Sequence, residues 1–337
     1  MYPEMIGESV RGEKHVQSDR PCQDNWNGVV TDEYLITSVA DGLGSSRKSA
    51  VGSEIAVETA VSTFQEWASN NPEAIANIDT EAIQDAFGDV YSAARNEIKK
   101  VAEGEEGSSV DEYHTTLSIV IATSDWYAAG AVGDSGMVGI DLAGKAEKLV
   151  GREDSSVSSS TVPITGSPKL IEERKRFNIE EKPLAAVVSF SDGFDRFAWD
   201  KGDSSQPRTK FFNRIAKFIV GVDSFNQAEA RNQFDEFVNS DVFNRHSSDD
   251  RTLVIGRFPS NVSSDLIDST SKQVYDDSEF VQAVRNLSQD EAYTAAVADR
   301  VGCSRPTAAD RLRILEVLGD VESVSQANKI VWIETAE

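Results

Sequence analysis

Cysteine is scarce in this sequence: the 337 residues include two, Cys22 and Cys303. They lie far apart, and neither belongs to a closely spaced pair of the kind that binds zinc, so the sequence supports neither a disulfide framework nor a zinc knuckle. Long apolar runs are missing as well, since the longest have the length of a strand. The N-terminal stretch MYPEMIGESVRGEK contains no apolar core of the signal-peptide kind. We therefore expect a cytoplasmic protein with no membrane partner.

Basic residues are outnumbered by acidic ones. The 33 Lys and Arg face 57 Asp and Glu, which gives a formal net charge of −24, and the acids are spread along the chain. Such a field repels nucleic acid and acidic surfaces at low salt, and it keeps a protein hydrated where salt is high. The composition favours a halophilic, for example haloarchaeal, source; an ordinary acidic mesophile protein is the alternative.

The apolar residues recur at two different spacings, one typical of helices and one typical of strands. Their spacing predicts two amphipathic helices, over 57–68 and 83–101, after an Asp-Gly pair that begins at Asp41. Four short strands are predicted within 115–150, joined by tight turns into one antiparallel meander. A strand, two helices and a last strand at 251–258 follow. This order predicts a layered α+β domain and not a parallel doubly wound one.

Acidic residues stand at the ends of the predicted strands, immediately before or after an apolar run. Antiparallel strands can bring such ends together, and several carboxylates cannot stay ionised at close range unless a cation neutralises them. Because only oxygen donors are on offer, the sequence predicts a hard ion, Mg²⁺ or Mn²⁺, and not zinc. The acids concerned are Asp24, Asp41, Asp134, Asp192, Asp249 and Asp250.

Six motifs carry a specific resemblance to a known family. In chain order they are CQDNW, VADGLGSS, TTLSIVIA, AGAVGDSGMVGI, SFSDGFDRF and SSDDRTLVIG. Together they resemble the metal-dependent protein phosphatases of the PP2C (PPM) family, over residues 1–258. The resemblance implies a four-layer αββα sandwich, in which helices cover two antiparallel sheets and a two-metal site lies in the cleft at the strand ends.

The same resemblance implies roles for individual residues of the motifs. Asp41 would bridge two metal ions, and Gly42 would offer its backbone carbonyl. Asp192 and Asp249 would complete one metal. Asp41, Asp192 and Asp249 would therefore be the acids on which catalysis depends.

Two further acids match outlying positions of the family's site. Asp24 matches an acid that binds near these ions, and Asp134 matches the acid associated with an additional, weaker metal. The implied cofactors are two Mn²⁺ or Mg²⁺ ions, or three. Asp250 stands where the family commonly has Asn, and Leu43 where some members carry a His that protonates the leaving group. The remaining candidates for a proton donor are His15, His114 and His246.

These expectations define a reaction and a substrate. Two ions can hold a water between them, lower its pKa and neutralise charge on phosphoryl oxygens. We therefore expect hydrolysis of phosphoserine or phosphothreonine in a phosphoprotein substrate, with no phosphoenzyme. An Arg should form a bidentate contact with the phosphate. Arg20, which precedes the CQD motif, is the candidate, and Arg47, after the Asp-Gly turn, is the alternative.

The end of the chain has a different pattern. Residues 259–274 are predicted as a linker, and 275–337 as a small domain of three helices and a two-stranded wing. This domain resembles a winged helix-turn-helix whose recognition helix would present Arg305, Arg311 and Arg313. Its six bases and twelve acids argue against DNA and favour a protein partner, unless high salt weakens the repulsion.

Three functions from different classes are compatible with this pattern. The first is an active phosphatase with an appended regulatory or targeting domain. The second is a DNA-binding transcriptional regulator whose phosphatase-like part only senses ligands, and the third is a catalytically inactive scaffold. The intact set of acids favours the first, because an inactive relative has no reason to keep a costly carboxylate cluster.

Overall fold

The chain divides into two compact units, Met1–Val238 with Ser247–Ser269 and Asn239–His246 with Thr270–Glu337. Within the described part of the chain, no helix is long and apolar enough to cross a membrane. The predicted linker lies outside the described residues from position 263 onward, and its role stays a prediction. The computed structural model describes residues 2–151, 161–200, 206–262, 277–288, 291–301, 303, 305–318, 320–326 and 329–335.

Ten strands of the first unit form two five-stranded sheets, and every neighbouring pair is antiparallel. In spatial order the first sheet contains β2 (Asn25–Val30), β3 (Leu35–Ala40), β4 (Leu117–Ala122), β5 (Tyr127–Val132) and β8 (Arg176–Glu180). The second sheet contains β1 (Glu4–Val10), β10 (Arg251–Arg257), β9 (Leu184–Phe190), β6 (Gly136–Asp141) and β7 (Ala146–Lys148).

Helices account for most of the remaining described residues of this unit. The two longest begin differently: the second has an aspartate cap, because Asp79 accepts a hydrogen bond of 3.1 Å from the amide of Ala82, whereas the first has no side-chain cap. The helices are α1 (Glu13–Gln17), α2 (Ser49–Asn70), α3 (Pro72–Asn77), α4 (Thr80–Gly104), α5 (Pro168–Arg174), α6 (Asp195–Ala198), α7 (Thr209–Gly221) and α8 (Ala228–Val238).

Apolar packing arranges these elements in four layers. The apolar faces of α2 and α4 cover the first sheet, and Phe64 and Phe87 meet there edge to face at 5.0 Å. The inner faces of the two sheets bury a second cluster between them. Aromatic side chains of α7 and α8 cover the second sheet, where Phe190 and Phe212 are 6.1 Å apart. The structure therefore confirms the predicted α+β fold of two antiparallel sheets packed against helices.

The predicted single meander within 115–150 is wrong in one respect. The strands β4 and β5 pair in the first sheet, but β6 and β7 pair in the second. The chain changes sheet at Gly133, whose φ of +107° is accessible to glycine at little cost. A Cβ at this position would lie 2.4 Å from the side chain of Thr116. Asp134, the next residue, therefore lies where the chain passes from the end of β5 in the first sheet to the start of β6 in the second.

The described residues of the second unit form three helices followed by a two-stranded antiparallel sheet, as predicted, and a short helix from earlier in the chain. Its core includes Phe280, Leu312 and Trp332, and the indole of Trp332 donates to the hydroxyl of Thr294 at 3.0 Å. The elements are α9 (Asp241–His246), α10 (Asp277–Arg285), α11 (Thr294–Val301), α12 (Arg305–Leu318), β11 (Val321–Gln326) and β12 (Lys329–Glu334).

Candidate metal centre

The register of the sheets brings the predicted acids to one end of the sandwich. In the first sheet, the start of β2 lies opposite the end of β3, and the start of β4 lies opposite the end of β5. In the second, the end of β9 lies opposite the starts of β10 and β6. The acids that precede or follow these positions are Asp24, Asp41, Asp134, Asp192 and Asp249.

The backbone of Asp41 is held on both sides by two threonines. Its amide donates to the hydroxyl of Thr116 at 2.9 Å, and its carbonyl accepts from the amide of Thr116 at 2.8 Å and the hydroxyl of Thr115 at 2.9 Å. A Cβ on the next residue, Gly42, would lie 2.6 Å from the carbonyl oxygen of Gln23. Glycine is therefore required here for close approach of the two chain segments, and the backbone of Asp41 is fixed at the strand end.

Asp41 also lies at the electrostatic centre of the group. Burial raises its pKa well above the ordinary value, and the negative charges of four neighbouring carboxylates raise it further: those of Asp24, Asp192, Asp134 and Asp249. Burial is again the largest cause of the raised pKa of Asp24, about 8, and of Asp192, about 7. Neighbouring carboxylates add to both shifts. A cation among these groups would relieve the repulsion.

Two of the acids are oriented by hydroxyl groups. Asp24 accepts a hydrogen bond of 3.1 Å from Thr252 on the neighbouring sheet. Asp134 accepts one of 2.8 Å through Oδ2 from Thr161. The other oxygen of Asp134, Oδ1, is buried and has no hydrogen-bond partner among the described residues. Burying a carboxylate oxygen without a hydrogen bond costs free energy. The same oxygen is available as a ligand for a cation.

The adjacent acids Asp249 and Asp250 have different surroundings. Asp249 is exposed, and its charge reaches Asp41 and Asp192. Asp250 is 2% exposed, and its carboxylate already accepts hydrogen bonds from two backbone amides and from His15. Asp249 is therefore the more accessible of the two to an ion.

The two candidate phosphate-binding arginines are both exposed. Arg20 donates to the carbonyl of Gly44 at 3.1 Å, three residues beyond Asp41. Arg47 is 78% exposed, and its guanidinium lies 3.9 Å from the carboxylate of Glu112. Arg20 therefore rests against the loop that carries the Asp-Gly pair, and Arg47 extends into solvent.

The three candidate proton donors have different surroundings. His15 is buried against Asp250. The ring of His114 lies 2.6 Å from the hydroxyl of Thr165, and burial lowers its pKa. His246 belongs to α9 in the second unit. His114 lies beside Leu43, because the amide of Leu43 donates to its carbonyl at 2.9 Å. The identity of a proton donor stays a prediction.

Several residues of this region were not predicted from the sequence. Asp195, on α6, contributes a charge that raises the pKa of Asp192. Ser191 and Thr252 both hydrogen-bond to Asp24 and so lower its pKa. Asp195 stands in the same SFSDGFDRF motif as Asp192, which was a usable signal. The serine, which follows β9, and the threonine of β10 carry no such signal, because hydroxyl residues are common in strands and beside them.

The donor chemistry of this region fits hard divalent cations. Its free groups are carboxylates, which Mg²⁺ and Mn²⁺ prefer. Within the described ranges, no three His, Cys, Asp or Glu side chains are already grouped around one point as direct ligands. Mg²⁺ in proteins commonly keeps several water ligands and binds only one or two carboxylates. A set of acids shared between ions therefore supplies enough protein ligands. The residues that would hold such ions are Asp41, Asp192, Asp249, Asp24 and Asp134, with the carbonyl of Gly42.

The predicted arginines of the second unit lie on one helix. Arg305 and Arg313 of α12 are exposed, and Arg311 is half-buried. No basic cluster comparable to a nucleic-acid interface surrounds them in the sequence, in which acids outnumber bases two to one from residue 275 onward. Their role as contacts stays a prediction.

Comparison with known proteins defines the class of this protein. A family model described as "Protein phosphatase 2C" matches residues 11–239. The chain therefore belongs to the protein phosphatase 2C family and is a protein serine/threonine phosphatase by class. No curated protein matches it significantly.

Solved structures show the same fold. The serine/threonine phosphatase Stp1 from Staphylococcus aureus is 14% identical, with a TM-score of 0.51 over 77% of this chain and 95% of that one. A bacterial serine phosphatase is also 14% identical, with a TM-score of 0.50 over 75% of this chain and 97% of that one. At these identities the similarity establishes the fold.

Proposed function

We propose that this chain hydrolyses phosphoserine and phosphothreonine in proteins with the help of two or three Mn²⁺ or Mg²⁺ ions held by the acids at the end of the sandwich. One observation carries the proposal: the strand registers gather Asp24, Asp41, Asp134, Asp192 and Asp249 at one end of the sandwich, where a buried oxygen of Asp134 has no hydrogen-bond partner among the described residues. Such a concentration of negative charge in a partly enclosed place is expected where cations bind. When bound, these ions supply an activated water and neutralise phosphoryl charge.

Each acid would have its own role at the metal centre. Asp41 would be a ligand of the ions, because the charges of the four other acids all reach it. Asp192 and Asp249 would complete one of the ion sites, Asp24 would lie beside them, and Asp134 would hold the additional ion. The threonines that fix the backbone of Asp41 limit its movement, which preserves the geometry of the centre during turnover.

Arg20 would bind the phosphoryl group of the substrate. Its guanidinium contacts the carbonyl of Gly44 at 3.1 Å, close in sequence to Asp41. The guanidinium carries five N–H donors, so this contact leaves others for two phosphate oxygens. Binding the substrate next to the ions would convert the attack of water into a step within one complex.

Activity measurements with and without metal test the proposal directly. We expect the purified chain to hydrolyse an aryl phosphate and a phosphothreonine peptide with added Mn²⁺, and to lose activity in EDTA. Return of activity on adding excess Mn²⁺ is the control for irreversible damage. Absence of hydrolysis at all Mn²⁺ and salt concentrations would favour the scaffold or ligand-sensing alternatives.

The second unit would direct the phosphatase to its protein substrates or partners. All the candidate metal ligands lie in the first unit, and the bases of the second are too few to suggest DNA as its main partner. This role is a regulatory or targeting one, and DNA binding at high salt is the alternative.

Deletion of residues 275–337 should leave hydrolysis of a small aryl phosphate within about twofold of the full chain, because no candidate ligand is removed. The activity on phosphoproteins should change in preference or rate. The full-length double variant Arg305→Ala, Arg313→Ala is the matched control. It removes only the exposed bases of α12 and keeps the rest of the second unit. The truncated chain could instead fold normally, by circular dichroism, and still lose activity on the small substrate. That result would show that catalysis is not confined to the first unit.

A further inference from the structure

A buried carboxylate joins the start of the chain to the end of the second sheet. Oδ1 of Asp250 accepts from the amide of Gly12 at 2.7 Å. Oδ2 accepts from the amide of Gln23 at 2.6 Å and lies 2.7 Å from Nδ1 of His15. We assign Nδ1 of His15 as the donor, because Oδ2 of Asp250 already accepts from the amide of Gln23. One side chain thus binds both ends and the middle of residues 12–23.

This segment is the one that carries Arg20. The helix α1 lies within it, and the amide of Arg20 donates to the carbonyl of His15 at 2.9 Å. Arg20 also contacts Gly44, through its side chain, and Arg11, whose guanidinium donates to the carbonyl of Arg20 at 3.2 Å. The position of the exposed Arg20 therefore depends on a helix of one turn and on what anchors that helix.

The anchoring is specific and tightly packed. His15 and Asp250 are each 2% exposed. The amide of Lys14 donates to the carbonyl of Ser248 at 3.0 Å, and a Cβ on Gly12 would lie 2.3 Å from the backbone carbon of Asp249. The two segments of chain thus touch along their backbones.

We propose that His15 and Asp250 act together as positioning residues that hold Arg20 in place for the phosphoryl group. This inference rests on the proposed function for the identity of the bound group. It also explains why an acid stands at position 250. An Asn would keep one acceptor oxygen but would turn an NH₂ group either toward the amide of Gly12 or toward both the amide of Gln23 and His15.

A matched pair of variants separates this role from general packing. In His15→Asn, the side-chain NH₂ stands the same number of bonds from Cβ as Nδ1 of His15 and can still donate to Asp250. His15→Leu has an apolar side chain of similar size and cannot donate. With an aryl phosphate and saturating Mn²⁺, we expect His15→Leu to raise KM about tenfold with kcat within about twofold, and His15→Asn to stay near the parent. Equal KM values in the two variants would overturn the proposal.

A double-mutant cycle tests whether the effect passes through Arg20. If it does, His15→Leu should raise KM no further when Arg20 has already been replaced by Ala. Additive increases would overturn the role of the pair in positioning Arg20.

Hydrogen exchange gives a readout that needs no activity. The amides of Gly12 and Gln23 should exchange faster in His15→Leu than in His15→Asn, because both donate to Asp250. If no variant hydrolyses any phosphate but exchange differs in this way, the proposed function fails and the anchoring by the pair stands. Unchanged exchange in His15→Leu would refute the anchoring itself.

Discussion

Replacement of Asp41 by Asn, or of Asp192 by Asn, is expected to lower kcat/KM for an aryl phosphate by on the order of a thousandfold at saturating Mn²⁺. Each change removes a negative charge, and a proposed metal ligand, from the acid group. Each also removes like-charge repulsion from the metal-free protein, because the raised pKa of Asp41 and of Asp192 reflects burial and neighbouring carboxylates. We therefore expect both variants to fold, with metal-free stability equal to or above that of the parent.

Asp32→Asn is the matched control for this pair. Asp32 lies on the turn between β2 and β3, at the opposite end of β3 from Asp41. The same chemical change there should leave both activity and metal affinity unaltered. Binding of Mn²⁺, followed by calorimetry, should be weakened in Asp41→Asn and Asp192→Asn but not in the control. Full activity of either site variant at saturating Mn²⁺ would refute the assignment of that acid.

In EDTA, the free energy of unfolding should fall as the pH rises from about 4 to about 8. Burial and neighbouring carboxylates raise the pKa of Asp24 from an ordinary 3.8 to about 8 and that of Asp192 from 3.8 to about 7. An acid with a raised pKa in the folded state holds its proton there after the unfolded chain has lost it. The stability that it contributes is therefore complete below the unfolded pKa and is lost as pH passes through the folded value.

The size of this effect is measurable by thermal unfolding. Each such group contributes a slope of up to about 1.4 kcal/mol per pH unit, and about 1 kcal/mol corresponds to about 2–4 °C in Tm for a domain of this size. The measurement should be made in high salt, which screens exposed charges more than buried ones. Asp24→Asn and Asp192→Asn should flatten the dependence, and Asp32→Asn should not. A Tm that stays constant or rises between pH 5 and 8 in EDTA would contradict the expected repulsion.

Much of the fold could be predicted because it is encoded locally. The spacing of apolar residues in α2 and α4 has the helical period, and Asp41 and Asp192 each follow a fully buried strand. The error in the predicted meander has a clear origin. A short turn at Gly133 is compatible with a hairpin, and the alternative, a change of sheet, depends on which strands are already available for pairing. Strand pairing joins residues that are distant in the sequence, so local patterns do not determine it.

The candidate site shows the same division at the level of single residues. The order of the motifs and the acids at the strand ends follow from the sequence alone, as does membership of the class to which those motifs point. Asp249 and Asp250 are chemically identical neighbours, and only the tertiary structure decides that one is exposed toward Asp41 while the other is enclosed by Gly12, His15 and Gln23. The physical reason is that the availability of a carboxylate depends on which hydrogen-bond donors surround it, and these donors come from segments more than 200 residues away in the chain.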